Sequence, residues 1–184
     1  MNSSSTESPV VVEPSSIDDL KAICKDDSKT LFAILDACDE PRVPQKVHEL
    51  GNEKAISLYQ GAAHRDYWSI APYLVIVDEE LLNWIVEKLL DDPWGIFAET
   101  PSDISLDQLR KHFRNFLLVK SPSGEEMYFR FYDPRVIRVF LDKCLPKEID
   151  QFFGSVASYC IEDEKSKGLV RIFSEQNDMR PAIP

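Results

Sequence analysis

Three short apolar runs constrain this chain more than any other feature. Residues 30–37 read TLFAILDA, residues 72–77 read PYLVIV, and residues 94–98 read WGIFA. Runs this short, bounded by polar residues, fit strands buried in a sheet. The β-branched content of PYLVIV suits a central position. Residues 55–59, 155–161 and 169–173 are further strand candidates. A hairpin is expected over residues 116–132, where two strand-like segments flank Ser121-Pro-Ser-Gly124.

Helices are expected between these runs. Ser16 is a plausible cap for a helix carrying Ile17, Leu20 and Cys24. Asp78-Glu79-Glu80 places acid at a helix start, where the dipole favours it. Ser105 and Gln108 spell a capping box ahead of Leu106, Leu109 and Phe113. Asp133-Pro134 and Pro146 open two more helices, the second ending at Gly154. The sum is about eight strands and five helices, mixed along the chain. This predicts an α/β (mixed α+β) single domain, a mixed sheet with helices packed on it. Residues 1–15 and 176–184 read as flexible tails around a domain over 16–175.

The charge narrows the partners. Against 32 Asp plus Glu stand 21 Lys plus Arg, a net −11. Such a surface repels phosphate backbones and anionic lipid, so no nucleic acid and no membrane is expected as partner. The excess acid serves either solubility or a basic partner. The N-terminus lacks a basic segment and a long apolar run, so a cytoplasmic location is expected. Cys24, Cys38, Cys144 and Cys160 form no CxxC pair.

Enzymatic signatures are missing from the sequence. It has no GxSxG elbow, and its 6 glycines form no phosphate loop. His48, His64 and His112 stand apart from other ligand-type residues, and His112 reads as solvent-facing. Pairs such as Asp18-Asp19 and Glu79-Glu80 fall at expected helix ends and turns, where capping and solvation explain them. No catalytic residue, cofactor or metal is therefore expected.

Residues 128–138, YFRFYDPRVIR, are the most unusual segment. In a strand, Phe129 and Phe131 would face the core, with Tyr128, Arg130 and Tyr132 on the other side. Arg between phenols is typical of binding hot spots. Arg135 lies in the first turn of its helix, where the dipole disfavours a cation, so a carboxylate should compensate. Arg138 has Asp142 four residues on. An internal ion pair to Asp36, Glu99 or Asp133 competes with partner contact as the role of Arg130 and Arg135. The candidate partner-binding residues are Trp94, Arg130, Tyr132, Asp133 and Arg135, with Trp94 a candidate for a rim position.

LFAILDA, LYQGAA, APYLVIVD, WGIFAETPSDISLDQLRKHFRNFLLV, SPSGEEMYFRFYDPRVIRVFL and FFGSVASYCIED follow one another in this order. As a set they closely resemble the adaptor domain of type VI secretion, whose members are also called effector chaperones. The resemblance spans roughly residues 30–163, and WGIFAETPSD and YFRFYDPRV are its most specific parts. It implies a non-enzymatic protein that binds a cognate effector in the cytoplasm and helps place it on the VgrG spike, directly or through the effector. Several such adaptors carry a further C-terminal lobe, for which this sequence has no counterpart after the family-like region. Two other functions compete. An immunity protein that neutralises a toxin is favoured by charge alone. A hydrolase with a polar cleft around Arg130 and Asp133 lacks a nucleophile–base pair.

Overall fold

The computed structural model describes residues 9–175, apart from 39, 91, 121, 122, 164 and 166. Its centre is strand β2 (Lys29–Asp36), the TLFAILD run. Alternate side chains of a strand face opposite ways. Leu31, Ala33 and Leu35 enter one hydrophobic cluster, whereas Phe32 and Ile34 enter another. Both faces are therefore dry, which is why the run shows no polar alternation.

Nine strands form among the described residues, seven of them in one sheet. The remaining strands of the large sheet are β1 (Val10–Ser15), β3 (Ala55–Ser57), β4 (Pro72–Ile76), β5 (Gly95–Pro101), β8 (Ser158–Asp163) and β9 (Gly168–Ser174). They lie in the order β1-β9-β8-β5-β2-β4-β3, and every neighbouring pair is antiparallel. The expected single α/β domain is present, with an antiparallel rather than mixed sheet. The expected hairpin is a separate two-stranded unit, β6 (Leu118–Lys120) and β7 (Glu126–Tyr128).

Helices α1 (Ile17–Cys24), α2 (Arg42–Leu50) and α4 (Glu79–Lys88) supply Leu20, Val43 and Ile85 to the cluster on the Leu31 side. Helices α5 (Leu106–Arg114), α6 (Pro134–Lys143) and α7 (Pro146–Phe153) supply Phe113, Ile137 and Phe152 to the Phe32 side. The result is three layers. The second face is rich in rings: Phe152 stacks on Tyr159 at 5.0 Å, and Phe113 on Phe131 at 5.5 Å. Offset and edge contacts of this kind add to burial. No helix among the described residues is long and apolar enough to cross a membrane.

The expected caps form. Ser16 Oγ accepts from Asp19 N at 3.2 Å, and Asp19 returns the bond to Ser16 N at 2.8 Å. Ser105 and Gln108 do the same for α5; Asp78, expected as acid at a helix start, proves to cap α4 through Leu81 N. Each such cap contributes about 1 kcal/mol.

Four expectations are corrected. Residues 10–15 are an edge strand paired with β9, not a tail; the valine run outweighs the polar neighbours, and Pro14 is tolerated at an edge. Of the remaining expected tail residues, 1–8 and 176–184 lie outside the described set. Helices α2 and α3 (Gly61–Tyr67) were not legible: α2 carries Pro44 and no side-chain cap, and α3 buries nothing. Arg138 pairs with Asp163 across elements rather than with Asp142. His112 is half-buried, donating Nε2–H to the Phe152 carbonyl at 2.8 Å, and burial lowers its pKa.

Gly95 lets β5 close on β2. A Cβ there would lie 1.8 Å from the Ile34 carbonyl oxygen, and its φ of +149° disfavours any side chain. Gly95→Ala is expected to cost more than about 4 kcal/mol and to remove the cooperative thermal transition. Retention of most of the wild-type melting temperature in a calorimetric scan would refute this account.

Candidate protein-binding surface

The five residues singled out from the sequence do not form one surface. Trp94 is 2% exposed; its Nε1–H donates to Glu162 at 2.5 Å and its ring meets Phe97 edge-on at 4.9 Å. It is core, not rim, because the chain enters β5 through the α4 side of the sheet. Tyr132 and Asp133 are also buried. The expected strand stops at Tyr128, so the alternation assumed over 128–132 fails. A turn follows, closed by Asp133 N–H donating to the Arg130 carbonyl at 3.0 Å. That turn sends Phe131 and Tyr132 together into the core. The helix cap at Asp133 requires it, since a capping residue must leave the helix in extended backbone.

The two arginines take internal partners. Asp133 accepts from the Arg135 backbone N–H at 2.9 Å, from its Nε at 2.9 Å and from a terminal nitrogen at 2.6 Å. One carboxylate thus caps α6 and answers the misplaced cation. Burial pushes the Asp133 carboxyl up, but these Arg135 contacts outweigh it and hold it below the usual range. Arg135 itself stays exposed and lines two hollows of about 430 and 490 Å³ beside Val139.

Arg130 reaches back to Asp36, the last residue of β2. Asp36 continues the parity of Phe32 and Ile34, so it points to the α5–α7 side. It is 2% exposed, and its other oxygen accepts from Cys38 N–H at 2.9 Å. Burial raises its pKa; the Cys38 N–H and Arg130 pull it back, nearby Asp133 adds to the rise, and the net shift is upward. Burial likewise pushes the Tyr132 phenol far up, so it is neutral and can donate. Arg130 Nε is buried without a hydrogen-bond partner among the described residues. The guanidinium is therefore an anchor that ties the exit of the hairpin to the end of the central strand.

The hairpin itself projects from the body. All six residues of β6 and β7 are exposed, although four of them are Leu118, Val119, Met127 and Tyr128. Leu118 faces Tyr128, and Val119 faces Met127. A two-stranded ribbon is marginal alone and normally hides one face. At its root, Phe129 N–H donates to the Leu117 carbonyl at 2.8 Å, and Tyr128 lies against Tyr59 at 5.3 Å. Leu118 is 50% and Met127 51% exposed, leaving apolar area in water on both faces. A second exposed group, Tyr67, Trp68 and Ile70, lies at and just after the end of α3. The sequence signal for the hairpin surface was present, since its short strands carry apolar residues without alternation.

The remaining reactive groups are quiet. Burial raises Cys24 to about 11, aided by Asp78 and Glu79; it raises Cys144 to about 11 and Cys160 to about 12. These thiols are protonated at neutral pH and weak nucleophiles. Burial also pushes Glu99 up, but Ser158, Arg171 and Lys29 outweigh it and hold it below the usual range. Among the described residues no three His, Cys, Asp or Glu side chains converge as metal ligands.

Fold and surface together define a three-layer α/β protein whose apolar side chains break the surface at a hairpin. The pattern of one family, described as a domain of unknown function (DUF4123), matches residues 31–151, and the chain belongs to that family. No curated protein and no solved structure matches the chain.

Arg130→Met is expected to destabilise the fold by about 2 kcal/mol at neutral pH, since it strands a buried carboxylate. The sign with pH follows from the raised Asp36 pKa. Its charged form is the costly one, so stability is lost as pH rises through the folded value and regained as pH falls below it. The loss relative to wild type should therefore shrink in denaturant titrations run toward pH 4. A loss that stays constant or grows with acid contradicts this assignment.

Proposed function

We propose that this chain is an adaptor that binds a cognate type VI secretion effector in the cytoplasm and promotes its loading onto the VgrG spike, with no bond-making of its own. Membership of the DUF4123 family and the motifs WGIFAETPSD and YFRFYDPRV support this reading. The observation that carries it is the β6–β7 hairpin, which holds Leu118, Val119, Met127 and Tyr128 in water on a ribbon its own fold does not cover.

Apolar area left exposed on a rigidly rooted element is typical of a surface completed by another chain. The hairpin offers apolar contact to an effector segment that would aggregate alone. The remaining surface, carrying the net −11, keeps the complex dispersed. Arg130 and Tyr132 act from inside: the first fixes where the hairpin leaves the body, and the second packs beneath it. Arg135, still at the surface, supplies a cation beside Val139.

The test is co-purification with the effector encoded beside this chain. The double variant Leu118→Ser, Met127→Ser should weaken the complex by about tenfold or more, some 1.4 kcal/mol, because apolar anchors dominate such contacts. Its melting temperature should stay close to wild type, since neither side chain is buried. An undiminished complex would remove the hairpin from the interface, and absence of any complex with the wild-type chain would remove the adaptor function.

A further inference from the structure

A further concavity differs from the hairpin in chemistry. It lies beside β3, the last strand of the sheet, and has a volume of about 880 Å³. Pro44 and Val47 of α2, Trp68 and Tyr73 give it apolar walls. His48, His64 and Arg110 are its basic side chains, and among the described residues no Asp or Glu lines it. In a chain with 32 acidic and 21 basic residues, a hollow whose described lining carries an arginine and no acid is a local reversal of the acidic balance.

Arg110 is the centre of that reversal. It comes from α5, is half-buried, and is fixed by two backbone carbonyls: Nε–H donates to Ser57 at 2.8 Å and a terminal nitrogen donates to Tyr59 at 3.2 Å. Both acceptors are neutral, and among the described residues Arg110 has no ion pair. Burial and the neighbouring Arg114 press on this charge, and Asp107 relieves part of it. The first of these bonds occupies a carbonyl of the edge strand β3, and the second lies just beyond that strand. A planar guanidinium held in place presents its remaining N–H groups to a carboxylate with little further ordering cost. Trp68, 53% exposed, stands ready to cover an apolar group next to that carboxylate.

We propose that this groove takes a segment of the bound partner protein that carries a carboxylate beside an apolar side chain, the carboxylate meeting Arg110 and the apolar group lying against Trp68. The proposal rests on the reading that the chain binds another polypeptide, and it adds a second contact with its own selectivity. The hairpin would grip by apolar area; the groove would choose by charge.

The experiment is selection of a random peptide library displayed on phage against the purified full chain, followed by fluorescence anisotropy with the enriched peptides made synthetically. Enriched sequences should combine Asp or Glu with a large apolar residue. Changing that acid to its amide should weaken binding about tenfold or more. Trp68→Ser and His48→Glu, both at exposed side chains, should weaken it to a similar degree while the melting temperature holds; Arg110→Gln is the direct variant but also releases the Ser57 and Tyr59 carbonyls. Absence of enrichment, enrichment of basic or neutral peptides, or affinity unchanged in Trp68→Ser and His48→Glu would overturn the proposal. So would a dimer that Trp68→Ser converts to monomer in sedimentation, which would give the groove to a second copy. Effector co-purification separates the two readings. An effector complex that tolerates Trp68→Ser but not the hairpin variant removes the groove and leaves the adaptor. Acid-selective peptide binding with no effector complex does the reverse.

Discussion

Strand β2 must be covered on both faces, and the rest of the molecule is arranged to do it. Its alternate side chains enter separate clusters, so one layer of helices cannot suffice. The α1, α2 and α4 layer answers Leu31, Ala33 and Leu35; the α5, α6 and α7 layer answers Phe32 and Ile34. The same parity sets the polar event at the strand end. Asp36 is the next residue facing the second layer, and no water reaches it there. A buried carboxylate needs a cation and donors. Arg130 is that cation, and because it follows the hairpin directly, the demand of the central strand fixes where the hairpin emerges. A packing requirement at the core is thereby transmitted to the surface that carries the apolar side chains.

Much of this was legible from the sequence, and the failures have physical causes. The buried strands and the Ser16, Ser105 and Asp133 caps could be read because each depends on residues within a few positions of one another. Strand β1 is not legible locally because its pairing partner, β9, lies at the other end of the chain and its own run is interrupted by Glu13 and Pro14. Helix α2 was masked by Pro44, which sits in its first turn where no intrahelical donor is lost. The candidate site was less legible than the fold. Alternation was extended two pairs too far, to Tyr132, and the turn demanded by the Asp133 cap inverted the side on which Tyr132 lies. The alternative of internal ion pairs named Asp36 and Asp133, and those are the partners of Arg130 and Arg135. What sequence could not supply was exposure: Trp94 and Trp68 are alike as letters, yet one is sealed against Phe97 and the other stands in water.

Two buried carboxylates show how unevenly this fold satisfies its charges. Glu99 receives Lys29 at 3.0 Å, Arg171, and the Ser158 hydroxyl at 2.7 Å, and its acid is held below the usual range despite burial. Asp36 receives one guanidinium and one backbone N–H, has Asp133 nearby, and sits above the usual range. The first site lies where β5, β8 and β9 meet, in the middle of the sheet. The second lies at the root of the hairpin. Glu99 has three donors to answer its burial and Asp36 has two, which is why burial prevails at Asp36 and not at Glu99. Loss of Arg130 would leave Asp36 with one backbone N–H against the same burial, whereas Glu99 keeps a cation after loss of either Lys29 or Arg171. The Arg130–Asp36 pair is therefore the ion pair on which the exit of the hairpin depends most directly.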